Sequence, residues 1–391
     1  MGYYTNAQQA ALYYSRRRRR DLLNSVPSLA ETLFPNSEAG IIIDPSQLDT
    51  MYQTINGVLT PVTADNDPVG IAMDIRLWGG HSFDVIVGGQ ATVSLDTAAA
   101  GYADKAAATT DGWTSTGVEA PADCEWTVTD GKIDLTRGAG GVDGRPTFNF
   151  AAAPAHHYEV TVTGASAAYV NFGTYTITCA SGQTTKVLGN TGGLNFWCDT
   201  SSSTQVEIKA VIVPGNHMVQ ATALDRPVYK TAGGKHWLEG DGVNDWMQAI
   251  FTLPQPWDRV SGLRQLAWTA GGNIYYGGSD ARGVLQQIGS SPALAMYNTS
   301  YFQVTNEVAI DEDFLMFEKF DGVTSVNAVN DDADTVSTSG GTNDGSGLTL
   351  FASDGGSVPA RVRCYGIIMR AEFSATERAI AKAWITDRMT P

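Results

Sequence analysis

The sequence predicts a mostly β protein built from antiparallel sandwiches, with a helix at each end. Three observations predict it. Apolar and polar residues alternate at a two-residue period between about 101 and 213. Glycine reaches 42 of 391 residues while charged residues are held to 17%, and glycine pairs recur as turns at Gly233-Gly234, Gly271-Gly272, Gly277-Gly278, Gly340-Gly341 and Gly355-Gly356. Helical signatures are confined to the two termini. The length implies two or three folded units. A composition that is 43% hydrophobic, with 9 Trp, 15 Tyr and 13 Phe, supplies sizeable cores and argues against intrinsic disorder.

Residues 1–26 read as a helix, because Ala7, Ala10, Ala11 and Leu12 are good formers and Val26-Pro27 ends the run. An irregular stretch follows to Gly40. Between Ile41 and Arg76, three turn signals (Asp44-Pro45-Ser46, Asn56-Gly57 and Asp67-Pro68) punctuate short apolar runs. In the alternating region, Trp126 and Val128 precede an Asp130-Gly131 hairpin turn, and Ile133 and Leu135 follow it. Tyr158, Val160 and Val162, then Tyr175, Ile177 and Cys179, then Val206, Ile208 and Ala210 give further strands with one polar face each. Pro214-Gly215-Asn216 breaks the pattern, and strands with Gly-rich turns resume. The chain ends in a helix, with Ser374 and Glu377 as a capping box and an apolar stripe of Ile380, Ala381, Trp384 and Ile385.

Charge narrows the function classes. Lys+Arg 25 minus Asp+Glu 41 gives −16, yet Arg16 to Arg20 are five consecutive positive charges in an acid-free opening. Without the first twenty residues the balance is 20 − 41 = −21, which repels nucleic-acid phosphates and anionic membrane surfaces. No apolar run approaches the roughly 20 residues of a membrane span. The opening Met1-Gly2-Tyr3-Tyr4-Thr5-Asn6 lacks the apolar stretch of a signal peptide, so the expectation is synthesis in a cytoplasm without a leader. Cys124, Cys179, Cys198 and Cys364 show no zinc-type spacing. They are read as small buried apolar residues, with a Cys179–Cys198 disulfide left open.

Certain motifs resemble a known fold family. Arg226-Pro227 with Trp237-Leu238-Glu239-Gly240-Asp241-Gly242-Val243-Asn244-Asp245 resembles the opening hairpin of laminin-G-like, concanavalin-A-like jelly rolls. Phe320-Asp321-Gly322, Gly347-Leu348-Thr349-Leu350 and Tyr365-Gly366-Ile367-Ile368 resemble later strands of that fold. Such domains recur in tail and surface proteins of phages and prophages. There a lead similar to 44–70 commonly runs straight into a Gly-Asn-His stretch, matched here by Gly215-Asn216-His217 about 140 residues late. The intervening part, with Gly112-Trp113 and Gly173-Thr174-Tyr175, looks like an inserted carbohydrate-binding-module-type sandwich. The resemblance, which covers about 44–388, implies two antiparallel jelly-roll sandwiches: 41–99 a lead packing with the C-terminal domain, 100–214 the insert and 215–391 the concanavalin-A-like jelly roll; residues 1–40 match no known family and are read from their own helix formers and charge as a helical attachment arm. It further implies a virion structural protein (a tail fibre, spike or baseplate-attached component) that presents its jelly rolls to host-surface polysaccharide, with other virion proteins as partners; a homotrimer is expected because closed cyclic assemblies satisfy symmetric attachment sites, the resemblance itself setting no number.

Candidate sites follow from residue chemistry. Tyr13, Tyr14, Arg16, Arg17, Arg18, Arg19 and Arg20 are expected to dock the arm onto the particle, since Tyr and Arg dominate interface anchors. Trp268, Tyr275, Tyr276, Asp280 and Arg282 offer aromatic faces beside planar polar groups and are expected to bind glycan. Trp113, Trp126, Trp197, Trp237 and Trp384 are expected in cores. Glu239 and Asp241 share a strand face, as the paired carboxylates of concanavalin-A-like glycosidases do, but Gly242-Val243-Asn244-Asp245 beside them fits a non-enzymatic turn. No catalytic residues are assigned, and no cofactor is expected unless Asp241, Asn244 and Asp245, or Asp331 and Asp332, hold calcium. Two other readings stay open: a glycan-cleaving enzyme on the same scaffold, and a decoration protein without a ligand.

Overall fold

The computed structural model describes residues 29–35, 38–53, 58, 60–77, 103–110, 113–150, 156–172, 175–188, 192–212, 216–220, 222–268, 272–280, 282–289, 293–304, 308–336, 341–354 and 356–390. The arm helix expected over 1–26, with Tyr13, Tyr14 and Arg16 to Arg20, lies outside the described residues. The protein is mostly β, and the pairings between its named strands are antiparallel.

In chain order the elements begin with helix α1 (Leu29–Leu33), β1 (Gly40–Ile43), β2 (Met51–Tyr52) and β3 (Ile71–Ala72). Helix α2 (Lys105–Thr110) precedes β4 (Trp113–Thr116), β5 (Cys124–Thr129), β6 (Lys132–Arg137), β7 (Arg145–Phe150) and β8 (His156–Gly164). Next come β9 (Ala168–Phe172), β10 (Tyr175–Cys179), β11 (Thr184–Leu188), β12 (Gly192–Cys198) and β13 (Ser202–Ile212). They are followed by β14 (Met218–Val219), β15 (Val228–Ala232), β16 (Lys235–Asp241), β17 (Met247–Ala249), β18 (Trp257–Gln265), β19 (Ile274–Gly277) and β20 (Val284–Ile288). The last are β21 (Ala293–Tyr297), β22 (Tyr301–Gln303), β23 (Asp313–Phe320), β24 (Val326–Val329), β25 (Thr335–Val336), β26 (Leu348–Leu350), β27 (Arg361–Ala371) and helix α3 (Ala375–Met389).

The chain divides into two compact units. One takes in the described residues up to Thr50, those from Ala72 to 77 and those from 216 onward; the other takes in the described residues of 51–71 and of 103–212.

The second of these units is a sandwich of two sheets, ordered β10-β9-β12-β7-β4 and β11-β8-β13-β6-β5. The alternation read from the sequence is what folds it. In β5, Cys124, Trp126 and Val128 point inward while Glu125, Thr127 and Thr129 are exposed. Asp130 and Gly131 both take positive φ, 50° and 72°, the conformation a two-residue hairpin loop needs to match strand twist. Val160, Val162, Ile177, Cys179, Val206 and Ile208 complete the core around Trp113, whose ring lies 6.3 Å from that of Trp126.

In the other unit one sheet runs β15-β16-β27-β18-β23-β24-β25, with β1 also paired to β27, and a second sheet includes β14-β17-β26-β19-β20-β21-β22. Helices α1 and α3 cover the outer face of the first sheet: Leu33, Phe34, Ala381 and Ile385 pack on Val260, Leu315, Phe317 and Ile368. Strand β18 is therefore buried on both sides. Gly262 on that strand lets α3 approach, because a Cβ there would sit 2.8 Å from Ile385 and Met389. The predicted capping box is present, with the Ser374 hydroxyl accepting from the Glu377 backbone and the Glu377 carboxylate accepting from Ser374 N–H.

One buried carboxylate ties the segments of this unit together. Asp74 Oδ1 accepts from the Ile42 and Arg76 amides at 3.1 Å each, and Oδ2 accepts from the Asn216 amide at 2.9 Å and Arg76 Nε at 2.7 Å. The Asp74 amide donates to His217 Nδ1 at 3.0 Å, and Asn216 Nδ2 donates to the Gly40 carbonyl at 2.6 Å. The residues just before and just after the 81–214 stretch thus meet at a single side chain. All four cysteines are buried and free, so Cys179 and Cys198 are not paired. Burial pushes both of those thiols up to about 11.

Candidate functional site

The aromatics expected to stack on a sugar are the first correction. Tyr275 and Tyr276 lie in β19, a strand buried at all four positions, and are 1% and 0% exposed. The Tyr276 hydroxyl donates to Glu318 at 2.7 Å and shares a 2.8 Å bond with Ser261. Glu318 in turn receives both Nε and Nη2 of the fully buried Arg259, at 2.7 and 2.9 Å. Burial and then the Glu318 charge hold the Tyr276 phenol well above its ordinary range. The Tyr275 hydroxyl donates to Gln265, and burial raises its pKa as well. These tyrosines are the floor of an interior polar network, and their rings are closed to any ligand. Asp280 and Arg282 are exposed and ion-paired to each other at 3.0 Å, and Trp268 is half-buried.

The acidic hairpin is committed to its own backbone. Asp241 Oδ1 accepts from the amides of Val243, Asn244 and Asp245, and Asp245 Oδ2 accepts from the Asp241 amide at 2.9 Å. Asn244 Nδ2 donates to the Leu224 carbonyl and to Asp225. Burial pushes the Asp245 carboxyl up to about 7. Glu239 accepts from Trp237 Nε1 and Arg363 Nε, each at 3.0 Å. Asp331 is exposed and meets Lys382 Nζ at 3.2 Å, and Asp332 is exposed beside it. Among the described residues, no three His, Cys, Asp or Glu side chains gather closely enough to hold a metal ion.

The second correction opens a different surface. Trp113, Trp126 and Trp237 are buried and Trp384 packs half-buried on the core, as expected, but Trp197 is not a core residue. Phe196 and Cys198 on either side of it point inward, so Trp197 must point outward, where it is half-buried. Tyr169 is its register partner across β9 and β12, and the two rings stack with centroids 5.8 Å apart and 15° between planes. On the β7 side, the Arg145 guanidinium lies 5.4 Å from the Trp197 ring. The Tyr169 hydroxyl donates to Asp199 at 2.7 Å, and that bond is the main cause raising the Tyr169 pKa. Three strands at about 4.8 Å spacing make this row roughly 10 Å long.

Two residues further along each strand lies a row of amides and hydroxyls. Asn171 pairs in register with Asn195, Asn195 with Thr147, and Thr147 with Thr114, while Thr176 faces Asn171 from the edge strand β10. Asn171 Oδ1, Asn195 Oδ1 and Arg145 Nε have no hydrogen-bond partner although all three atoms are shut off from solvent. Two orphan acceptors and an orphan donor thus sit beside an aromatic row, each costing about 1–3 kcal/mol while unpaired. Chemically the face can stack on a C–H surface and exchange hydrogen bonds with hydroxyls that both donate and accept. The sequence carried a signal for it in Tyr169-x-Asn171 and Asn195-x-Trp197, each with core residues in between.

No protein-family model matches the chain, and no curated protein does. Among solved structures the chain is similar to a sialidase of Trypanosoma rangeli in complex with the inhibitor DANA, at 11% identity over 45% of this chain and 30% of that one, with a TM-score of 0.33. It is also similar to a truncated AlyQ with CBM32 and alginate lyase domains, at 8% identity over 67% of this chain and 99% of that one, with a TM-score of 0.26. The match thus spans under a third of the sialidase's length. The sandwich architecture rests on the strand pairing itself.

Proposed function

We propose that the chain is a non-catalytic glycan-binding structural protein of a phage or phage-like particle, and that the outward face of β9, β12 and β7 carries the glycan contact. The observation that carries the binding reading is the stacked Tyr169–Trp197 pair beside the unpaired amide oxygens of Asn171 and Asn195. A polyhydroxylated ligand suits that face, with C–H groups for the ring row and hydroxyls for the row of amides and hydroxyls beside it. Arg145 and Asp199 balance each other locally, so neutral sugars suit the face despite the acidity of the chain as a whole. The particle context rests on the resemblance of 44–70 and 215–227 to phage tail and surface proteins. Engagement of Glu239 and Asp241 in local hydrogen bonds supports binding over glycoside cleavage, which needs one carboxyl free to act as acid.

The test incubates the purified chain with a panel of bacterial capsular and O-chain polysaccharides. Saturable retention with unchanged polymer length is expected. Retention of none of them removes the glycan reading, and shortening of a bound polymer replaces it with the enzyme.

A further inference from the structure

Arg145, at the start of β7, stands apart from the chain's other arginines. Every other buried or half-buried arginine among the described residues donates to a carboxylate or a carbonyl oxygen. Arg145 is half-buried and donates to no group among the described residues, in a chain with 41 Asp and Glu. Its Nε is shut off from solvent, but both Nη nitrogens keep accessible surface. They are the part of the group that a ligand can reach. The Trp197 ring, 5.4 Å away, gives the planar guanidinium a surface to lie on and limits its freedom before a ligand arrives.

Two free N–H-bearing nitrogens on one rigid fork call for two neighbouring oxygen acceptors. Carboxylates, phosphates and adjacent ring hydroxyls all present such a pair. An anion would gain Arg145 but would also face Asp199, which accepts from Tyr169 in the same row, and the exposed Asp143 two residues before Arg145. Arg137, the other cation at this end, already gives its N–H groups to the Gly140, Gly141 and Cys198 carbonyls. The net charge of −16 repels an anionic polymer at longer range. A pair of neutral hydroxyl oxygens accepts both Nη groups without either repulsion.

We propose that Arg145 is the specificity-determining contact of this face: its two Nη groups donate to the oxygens of one unsubstituted vicinal hydroxyl pair on a neutral sugar. The inference rests on the glycan reading of the Tyr169–Trp197 face and narrows it to glycans that carry such a pair. The probe is the polysaccharide that the full wild-type chain retains, before and after periodate cleavage of its vicinal diols and borohydride reduction. Affinities are measured in low and high salt for the wild type, Arg145→Lys, Arg145→Gln and Arg361→Gln, the last an exposed arginine of the other unit. The wild type should prefer the native polymer at least about tenfold, the size of one hydrogen bond to a charged group. Arg145→Lys, which keeps the charge without the fork, and Arg145→Gln should each bind the native polymer about tenfold more weakly. Both should also lose most of the preference, a coupling that a merely structural role would not produce. Arg361→Gln should match the wild type, and salt should leave the affinities nearly unchanged. Where the cleaved polymer binds too weakly to measure, Arg145→Lys on the native polymer decides. A retained polymer that periodate leaves intact, wild-type affinity in the folded Arg145 variants, an undiminished preference in them, or affinity that falls steeply with salt overturns this inference and leaves the glycan reading standing. Retention of no polysaccharide by the wild type removes both.

Discussion

Replacing Asp258 by asparagine should halve the stability that the protein loses as pH rises from about 4 to about 7. Burial pushes the Asp258 carboxyl from its ordinary 3.8 up to about 7. The Phe373 amide, Lys319 and Arg378 pull against that shift, and Glu372 adds to it. In the unfolded chain the same group gives up its proton near 4. Between those values the folded state holds one proton more than the unfolded state, so stability falls as pH rises and levels off above about 7. Stability from this group is therefore fully present below pH 4 and lost through pH 7. The slope is about 1.4 kcal/mol per pH unit for one such group, a total of order 4 kcal/mol. Asp245, pushed to about 7 by the same desolvation, contributes a second slope of like sign. Carboxyls held low by partners, such as Asp334 beside Arg378 and Asp321 beside Thr324, act only in more acid solution. Urea titrations followed by tryptophan fluorescence, at pH values from about 4.5 to 6.5, should show stability falling as pH rises in the wild type and falling about half as steeply in Asp258→Asn. An Asp258→Asn slope equal to the wild type's would refute the reasoning.

Glu318→Ala leaves Arg259 buried without its partner and should cost about 3–5 kcal/mol by urea denaturation, whereas Glu318→Gln, which keeps an acceptor for Tyr276, should cost less. Because Asp74 and Asn216 already touch, joining 80 to 215 through a short linker should leave a cooperative transition in the remaining unit, and loss of all folded structure would contradict that arrangement. Deleting 1–26 should leave the body folded and abolish incorporation into particles, and normal incorporation would place docking elsewhere. Sedimentation of the intact chain should show a trimer at salt high enough to screen the five arginines, and a monomer at every salt concentration would count against it.

The part of the fold that was legible is the part with one wet face. In β5 and β6 the burial pattern repeats the sequence alternation residue for residue, and the Asp130-Gly131 turn and Ser374/Glu377 cap lie where their chemistry demands. Legibility ends where both faces of a sheet are covered. Strand β18 is closed between the facing sheet and the two helices, and β19 is buried throughout, so Tyr275-Tyr276 offered no period to tell inside from outside. Arg259 and Glu318 look like surface charges in sequence and are 0% exposed, because only the fold brings them together across paired strands. Trp197 failed differently. Its size suggested core, while the alternation of Phe196 and Cys198 around it already placed it outside.

The central claim is that the Tyr169–Trp197 face binds glycan, and its most direct measurement compares three full-length chains on the polysaccharide the wild type retains. Trp197→Ala removes the central member of the row, between Tyr169 and Arg145, and Asn171→Ala with Asn195→Ala removes the two unpaired oxygens without touching the inward residues. Both variants should stay folded, and the asparagine double variant should melt no lower than the wild type, since two unpaired buried oxygens are gone. Trp197→Ala should bind at least about tenfold more weakly, the order expected when stacking worth about 0.5–1.5 kcal/mol and its buried area are lost together. The asparagine double variant should also bind more weakly. Wild-type affinity in both, with each variant folded, would contradict the account.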